Sequence, residues 1–446
     1  MCLKKKSALI FQVLKEYIWS DELKNQGRMS VKNFIRERVL TFPVLVSFLI
    51  NLAKKSLQVS LNDFCKTSDL LFVTKQAFSK ARKKLSPNTF ILLNRKLVEE
   101  YYSDNLYSTW KGFRLIAVDG SDIQLPNKED IKMKFGCAMN QQGPTLAMAK
   151  ISYAYDVLNH ITLDAQMGYC KASERDLAIK HVEAIQQLKH DKTNDLYIFD
   201  RGYPSLGFLF YLSNAKKDFL IRCTLSSCFA KVKLVLDQGK EDVIIRLYAN
   251  EANDDQIKEI KKRTPSLDRK NAYVDIRVIV VLLSTGEKEI LITSLLDRKL
   301  YSKEEFKGLY CRRWGVEENY KWHKVALELE NFSGNTEFAI EQELFSLVLT
   351  ANMASLLIEE AQEEIEEEHK QKSLKHTYKI NKRTAISTLR NQLLKGILEP
   401  EIDMDELCCS LKAELKKSLC PVRPDRKFVR PKKGRQKYGR TTRKCI

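Results

Sequence analysis

The chain has 446 residues, 44% of them apolar and 30% charged, a composition that excludes a disordered or fibrous protein and allows roughly two to four compact units. Lys and Arg number 76 against 57 Asp and Glu, and the surplus of +19 sits at the ends. Residues 1–118 hold 21 basic and 9 acidic residues, residues 423–446 hold 11 and 1, and the middle keeps 44 and 47. A polyanion is therefore expected to meet the two ends, with DNA the first candidate because neutralised phosphates release counterions. Anionic membrane is the weaker rival: its best segment, 42–53 (FPVLVSFLINLA), falls short of the roughly 20 residues that span a bilayer. The 11 Cys are odd in number and contain no Cys-x-x-Cys pair, which argues against a disulfide framework or a zinc ribbon and fits a reducing cytosol. No export signal is expected, since the first apolar stretch breaks at Lys15.

Residues 1–105 carry apolar residues at helical spacing, as in Leu9, Ile10, Val13, Leu14 and Ile18, and predict a helical region. Within it, 63–85 (DFCKTSDLLFVTKQAFSKARKKL) predicts a short helix, a turn around 67–69 and a second helix. Ala77, Phe78, Ala81 and Leu85 are expected to face inward, leaving Lys75, Gln76, Lys80, Arg82 and Lys83 on the outer face. That is the pattern of a helix-turn-helix recognition helix, and a solvated basic helix fits it equally well. From Phe113 the texture turns to strands at 114–119 (RLIAVD), 149–157 and 161–166, then a helix at 173–188, a buried strand at 196–200 (LYIFD) and a short helix at 204–213. A β-rich stretch at 218–296 reads as an insertion, because helical pattern resumes at 302–328 and again at 337–368. The Glu-dense run at 359–368 is expected to be a solvated face. Residues 369–382 read as a linker, 383–419 as a small helical piece and 421–446 as a basic tail broken by Pro and Gly, suited to lie along a DNA backbone.

Two apolar strands end in Asp followed at once by a turn: Asp119 in RLIAVDGSD and Asp200 in LYIFDRGYPS. A carboxylate at the C-terminal edge of a strand in an open α/β sheet stands where such folds place ligand sites, although Asp before Gly is also common turn chemistry. A third element is helical. In LYCRRWGVEENYKWHKVALE, Tyr310, Arg313, Glu317 and Lys324 fall within about 60° of one another at 100° per residue, a single polar stripe beside an apolar one.

Together these parts resemble the bacterial insertion-sequence DDE transposases of the cut-and-paste branch marked by a Tyr-x2-Arg-x3-Glu-x6-Lys signature, complete here at Tyr310, Arg313, Glu317 and Lys324. The resemblance runs from about 60 to 335. It implies an α/β fold with a ribonuclease-H-like core and a β-rich insertion, flanked by helical N- and C-terminal regions: a DNA-binding region at 1–105, a catalytic domain at 106–368, a helical region at 369–420 and the tail at 421–446. It makes Asp119, Asp200 and Glu317 the catalytic, metal-binding carboxylates, with Asp122 an understudy for the first. Three carboxylates at close quarters repel by about 4 kcal/mol per pair at 4 Å and an effective dielectric of 20, a cost that divalent cations remove. Oxygen-only ligands suit Mg²⁺, with Mn²⁺ as a substitute, and two such ions can activate the attacking oxygen and stabilise the leaving one. Arg313 and Lys324 are then expected to clamp DNA phosphates, Tyr310 to add a hydrogen bond, and Trp314 and Trp322 either to stack on a base or to pack in the core. The implied partners are double-stranded DNA, as terminal inverted repeats and target, and a second copy of the chain in a dimeric synaptic complex, with no membrane and a location at the bacterial nucleoid. The implied activity is metal-dependent cleavage and strand transfer through a hairpin intermediate. A transposase-derived DNA-binding protein without catalysis and a nuclease without strand transfer are the alternatives.

Overall fold

The computed structural model describes residues 6–36, 38–52, 55–140, 143–189, 193–225, 229–282, 286–370 and 376–423. The basic tail beyond 423 and part of the 369–382 linker lie outside the described residues. Among them, nine strands form one sheet: β1 (Phe113–Gln124), β2 (Cys137–Asn140), β3 (Gly143–Asp156), β4 (Ile161–Tyr169), β5 (Asn194–Phe199), β6 (Asp218–Cys223), β7 (Asp242–Tyr248), β8 (Tyr273–Leu282) and β9 (Lys288–Thr293). β3 lies antiparallel to both β1 and β4, while β5 pairs parallel with β1 and β6 parallel with β5. Parallel neighbours need a crossover, and the helices Glu174–Gln186 and Leu206–Asn214 supply one each. Strands covered on both faces read as apolar runs, as LYIF of β5 and FLI of β6 do, every one of these residues being buried. The result is a ribonuclease-H-like α/β core.

The insertion departs from expectation at its first boundary. β6, placed at its start, is the last parallel strand of the core, and the chain leaves the core only after Cys223. The insertion then returns through β9, which pairs antiparallel with β6 and carries β8 and β7 beyond it. Its strands extend the catalytic sheet, because an uncovered β6 would leave a row of unpaired backbone groups at the edge.

The helix Glu337–His369 is the spine that joins the regions. It packs against the helices Asn88–Tyr102, Phe42–Ile50 and Met404–Leu415 and against β4. It is long and apolar enough to cross a bilayer by length and composition, but 83% of its apolar window is buried inside the protein. The apolar segment at 42–50 is likewise buried. The Glu-dense end is more than a solvated face. Glu360 accepts hydrogen bonds from Ser7 N–H (2.6 Å) and Ser7 Oγ–H (2.7 Å) at the start of the helix Lys6–Trp19, where a carboxylate suits the helix dipole. Lys412 pairs with Glu360 and Glu364, and Lys416 with Glu364 and Glu368, so the run ties the helices Lys6–Trp19 and Met404–Leu415 to the spine.

Two helices, Leu57–Thr67 and Lys75–Arg82, flank a turn as expected, the second capped by Thr74 Oγ1 accepting from Ala77 N–H. Phe78 and Leu85 are buried, and Lys75, Gln76, Lys80 and Lys83 are exposed. Ala77 is exposed, and Arg82 is not on the outer face but buried. Its guanidinium donates to Gln342 Oε1 (2.8 Å), Glu343 Oε1 (3.2 Å) and the Ala339 carbonyl (3.1 Å), all on the spine. The second helix ends at Arg82, so its last side chain meets the spine instead of continuing the outward stripe.

One buried base sets an acid limit on this fold. His323, fully buried, shares a 3.1 Å hydrogen bond with the Tyr153 hydroxyl, and burial, reinforced by the charge of Lys382, lowers its pKa to about 3. A base whose folded pKa lies below its unfolded value of 6.5 contributes stability that is present above pH 6.5 and lost as pH falls toward 3. Urea unfolding at pH 7.5 and pH 4.5 should show a marked loss of stability at the lower pH, and His323→Gln should shrink that difference.

Candidate active site

Val118 of β1 and Phe199 of β5 are register partners in adjacent parallel strands, so Asp119 and Asp200 follow side by side where that pairing ends; β1 does not stop at Asp119 as expected but runs on to Gln124, held by its pairing with β3. Adjacent strands lie about 4.8 Å apart, so the register sets the two residues on neighbouring backbone positions. Asp119 Oδ1 accepts from Gly120 N–H (2.9 Å), and Asp200 Oδ1 accepts from Arg201 N–H (2.6 Å) and from the Tyr310 hydroxyl (3.3 Å). Side chains alternate along a strand, so Asp119 shares a face with its register partner Tyr153, while Gly120 and Asp122 point to the other face.

The signature residues come from the helices Glu305–Cys311 and Trp314–Val325, which are nearly continuous because Arg312 and Arg313 keep right-handed helical dihedrals. The second helix covers the Asp119 face: Tyr320 stacks on Tyr153 with ring centroids 4.5 Å apart, and its hydroxyl donates to the Asp119 carbonyl (2.8 Å). Glu317, one turn before Tyr320, therefore arrives beside Asp119. Asp122 faces away from this helix and is paired with Lys150 (3.0 Å), which favours Asp119 as the first ligand. All four signature side chains meet the sheet end. Tyr310 reaches Asp200, Arg313 Nη2 bonds Glu317 Oε1 (2.6 Å) with Nη1 3.8 Å from Asp119 Oδ2, and Lys324 Nζ donates to Ser121 Oγ (2.8 Å) and the Asp122 carbonyl (2.6 Å).

Only half of the stripe forms an exposed edge: Glu317 is 40% exposed and Lys324 half-buried, but the other two members are covered. Tyr310 is 2% and Arg313 3% exposed, so in this geometry Arg313 is a charge among carboxylates and not an open phosphate clamp. Burial raises the Asp119 pKa to about 6; Arg313 and the Gly120 N–H pull it down, while Glu174 and Glu317 push it up further. Trp314 is 51% exposed and free of the core, whereas Trp322 is buried.

Three residues near the site were not foreseen from sequence. Glu174 opens the helix Glu174–Gln186 behind the cap Ser173, and its carboxylate lies against Gly120 and Gly202, the glycines that follow Asp119 and Asp200. Lys150 Nζ bridges Glu174 Oε1 (3.2 Å) and Asp122. Tyr203, in the turn after Asp200, is fully buried, and its hydroxyl makes no hydrogen bond among the described residues. The one signal in the sequence was the pair of glycines beside the two Asp residues.

A ribonuclease-H-like sheet with Asp119 within β1, Asp200 directly after β5 and Glu317 on a covering helix has the arrangement of the DDE class of nucleic-acid phosphoryl-transfer enzymes. The chain belongs to the transposase DDE domain family, whose description matches residues 110–353. It is similar to the transposase InsG for insertion sequence element IS4 of Escherichia coli (strain K12), 23% identical over 329 residues that cover 72% of this chain and 70% of the relative. Among solved structures, the piggyBac transposase synaptic complex with hairpin DNA aligns over 93% of this chain and 86% of its own at 9% identity and a TM-score of 0.45.

Proposed function

We propose that the protein binds the terminal inverted repeats of an insertion sequence, pairs two ends through a second copy of itself, and performs divalent-cation-dependent cleavage and strand transfer with Asp119, Asp200 and Glu317 as the cation ligands. The observation that carries this reading is the register Val118↔Phe199, which sets Asp119 and Asp200 on adjacent strands beneath the Glu317 helix. The donor set fits the cation: all three ligands are hard carboxylate oxygens, suited to Mg²⁺ or Mn²⁺. Among the described residues no three Asp, Glu, His or Cys side chains yet close on one point, and Arg313 supplies the positive charge between Asp119 and Glu317. Two bound cations would activate the attacking oxygen and stabilise the leaving one.

The chain's own residues do the rest. Arg313 turns from the carboxylates to the scissile phosphate, where its planar fork binds two oxygens, and Lys324 adds a point charge beside β1. Trp314, already exposed, offers its face to a displaced base at the hairpin stage. Lys75, Gln76, Lys80 and Lys83 bind the repeat, and the groove beside them, where Lys32, Arg36, Arg38, Lys80 and Lys84 stand among the described lining residues, follows the phosphate backbone. Replacing Lys75, Lys80 or Lys83 by Ala should weaken repeat binding and lower the slope of log K against log salt by about 1 each in a fluorescence anisotropy titration, whereas a solvated basic helix would leave the slope unchanged.

The experiment that tests the whole reading uses a labelled duplex carrying the inverted repeat found beside the coding region. With Mg²⁺ the expected products are a nick, then a hairpin end, then DNA joined to a target. Binding without cleavage in Mg²⁺ or Mn²⁺ identifies the non-catalytic alternative, and cleavage without joined product identifies a nuclease.

A further inference from the structure

We propose that Glu174 is a fourth carboxylate of the divalent-cation site and that the Tyr203 hydroxyl is the donor beside it; this rests on the reading of Asp119, Asp200 and Glu317 as cation ligands. A Cβ added at Gly120 would lie 2.9 Å from Glu174 Oε1, and one added at Gly202 would lie 3.6 Å from Oε2. The Glu174 carboxylate thus spans the gap between the residue after Asp119 and the turn after Asp200. Gly120 points to the face opposite Asp119, so Glu174 reaches the strand ends from the side away from the Glu317 helix. The sheet end is then flanked by a carboxylate from each face, with the two Asp residues between.

Tyr203 is the independent observation. It is 1% exposed, its hydroxyl makes no hydrogen bond among the described residues, and a buried hydroxyl without a partner is costly enough to require a purpose. The charges that act on it are those of Glu174, Asp119 and Asp200, in that order, opposed by Arg313, so its hydroxyl lies within the field of these side chains. A cation-bound water there would accept the hydrogen bond that the protein does not supply. In the present geometry Glu174 is 34% exposed and pairs with Lys150 at 3.2 Å, a pair that water can screen and a cation can displace. The glycine at 120 follows: a side chain there would crowd the carboxylate, whereas one at 202 would meet it in ordinary contact.

The test is Mn²⁺ binding by the full chain without DNA, followed by the electron paramagnetic resonance of free Mn²⁺. Glu174→Gln should weaken binding about 10-fold or more and Tyr203→Phe by a smaller factor, as partners around a metal site commonly do. Both substitutions keep shape, and circular dichroism checks the fold. In a second measurement, Fe²⁺ with ascorbate and peroxide should cut the backbone at 173–175 as well as next to Asp119 and Asp200. If Asp119→Asn weakens Mn²⁺ binding while Glu174→Gln binds as the parent does, or if cuts appear at 119 and 200 but not at 173–175, Glu174 is outside the site. If Asp119→Asn also binds as the parent does, the cation reading itself fails, and the proposal with it.

Discussion

Asp119→Asn, Asp200→Asn and Glu317→Gln should each slow cleavage of a matched DNA end on the order of 10³-fold while repeat binding is retained. Each change is isosteric and removes one negative charge from the proposed cation site, so the loss is expected in the chemical step. Asp119→Asn has a further signature. Burial and the neighbouring carboxylates raise the Asp119 pKa to about 6 from an ordinary 3.8. A carboxyl with a raised folded pKa contributes stability that is full below pH 3.8 and lost as pH rises through 6, so at pH 8 its ionised form opposes folding. The neutral Asn removes that opposition. The metal-free Asp119→Asn protein should therefore melt above the parent at pH 8 and lose the advantage near pH 4, in a thermal scan with chelator present. A variant that is inactive because it is unfolded would melt below the parent at both pH values.

The second large effect belongs to Arg82. It is paired with Glu343, the two side chains 7% and 2% exposed, and Glu343 also accepts from Ser333 N–H (2.8 Å), Gly334 N–H (3.0 Å) and the Ser333 hydroxyl. Removing one partner of a buried pair leaves the other charge buried without compensation, at a cost of about 3–5 kcal/mol. Arg82→Met should lose that much stability in urea unfolding, while Lys83→Ala, one residue on and exposed, should change it by less than about 0.5 kcal/mol. The double variant Arg82→Met with Glu343→Gln should recover much of the loss, because it removes both charges. Equal, small effects at both positions would return Arg82 to the DNA-binding face.

Arg82 also shows where sequence reasoning ends. Its stripe was legible from helical spacing, but the residue that draws it inward lies 261 positions away, and no local pattern reports such a partner. The same limit applies to Glu174, which reaches Gly120 only because a crossover helix folds back over β1. Features fixed by short-range chemistry were readable. Buried parallel strands announce themselves as apolar runs, and Asp200 does follow β5 at a turn, whereas β1 runs on through Asp119 to Gln124; the spacing of Tyr310, Arg313, Glu317 and Lys324 placed all four near these residues. The insertion boundary was not readable, because β6 and β9 have the same apolar texture and differ only in the direction of their neighbours. Spacing put Arg313 on the stripe but could not show that its charge is spent on Asp119 and Glu317.

The central claim is that Asp119, Asp200 and Glu317 act as one site. Single-turnover cleavage in Mn²⁺ by the three single variants and by the triple variant tests it most directly, since residues that act as a unit are non-additive. The triple variant should cleave no more slowly than the slowest single one. A triple variant slower by the product of the three individual losses would contradict it, because each carboxylate would then contribute separately.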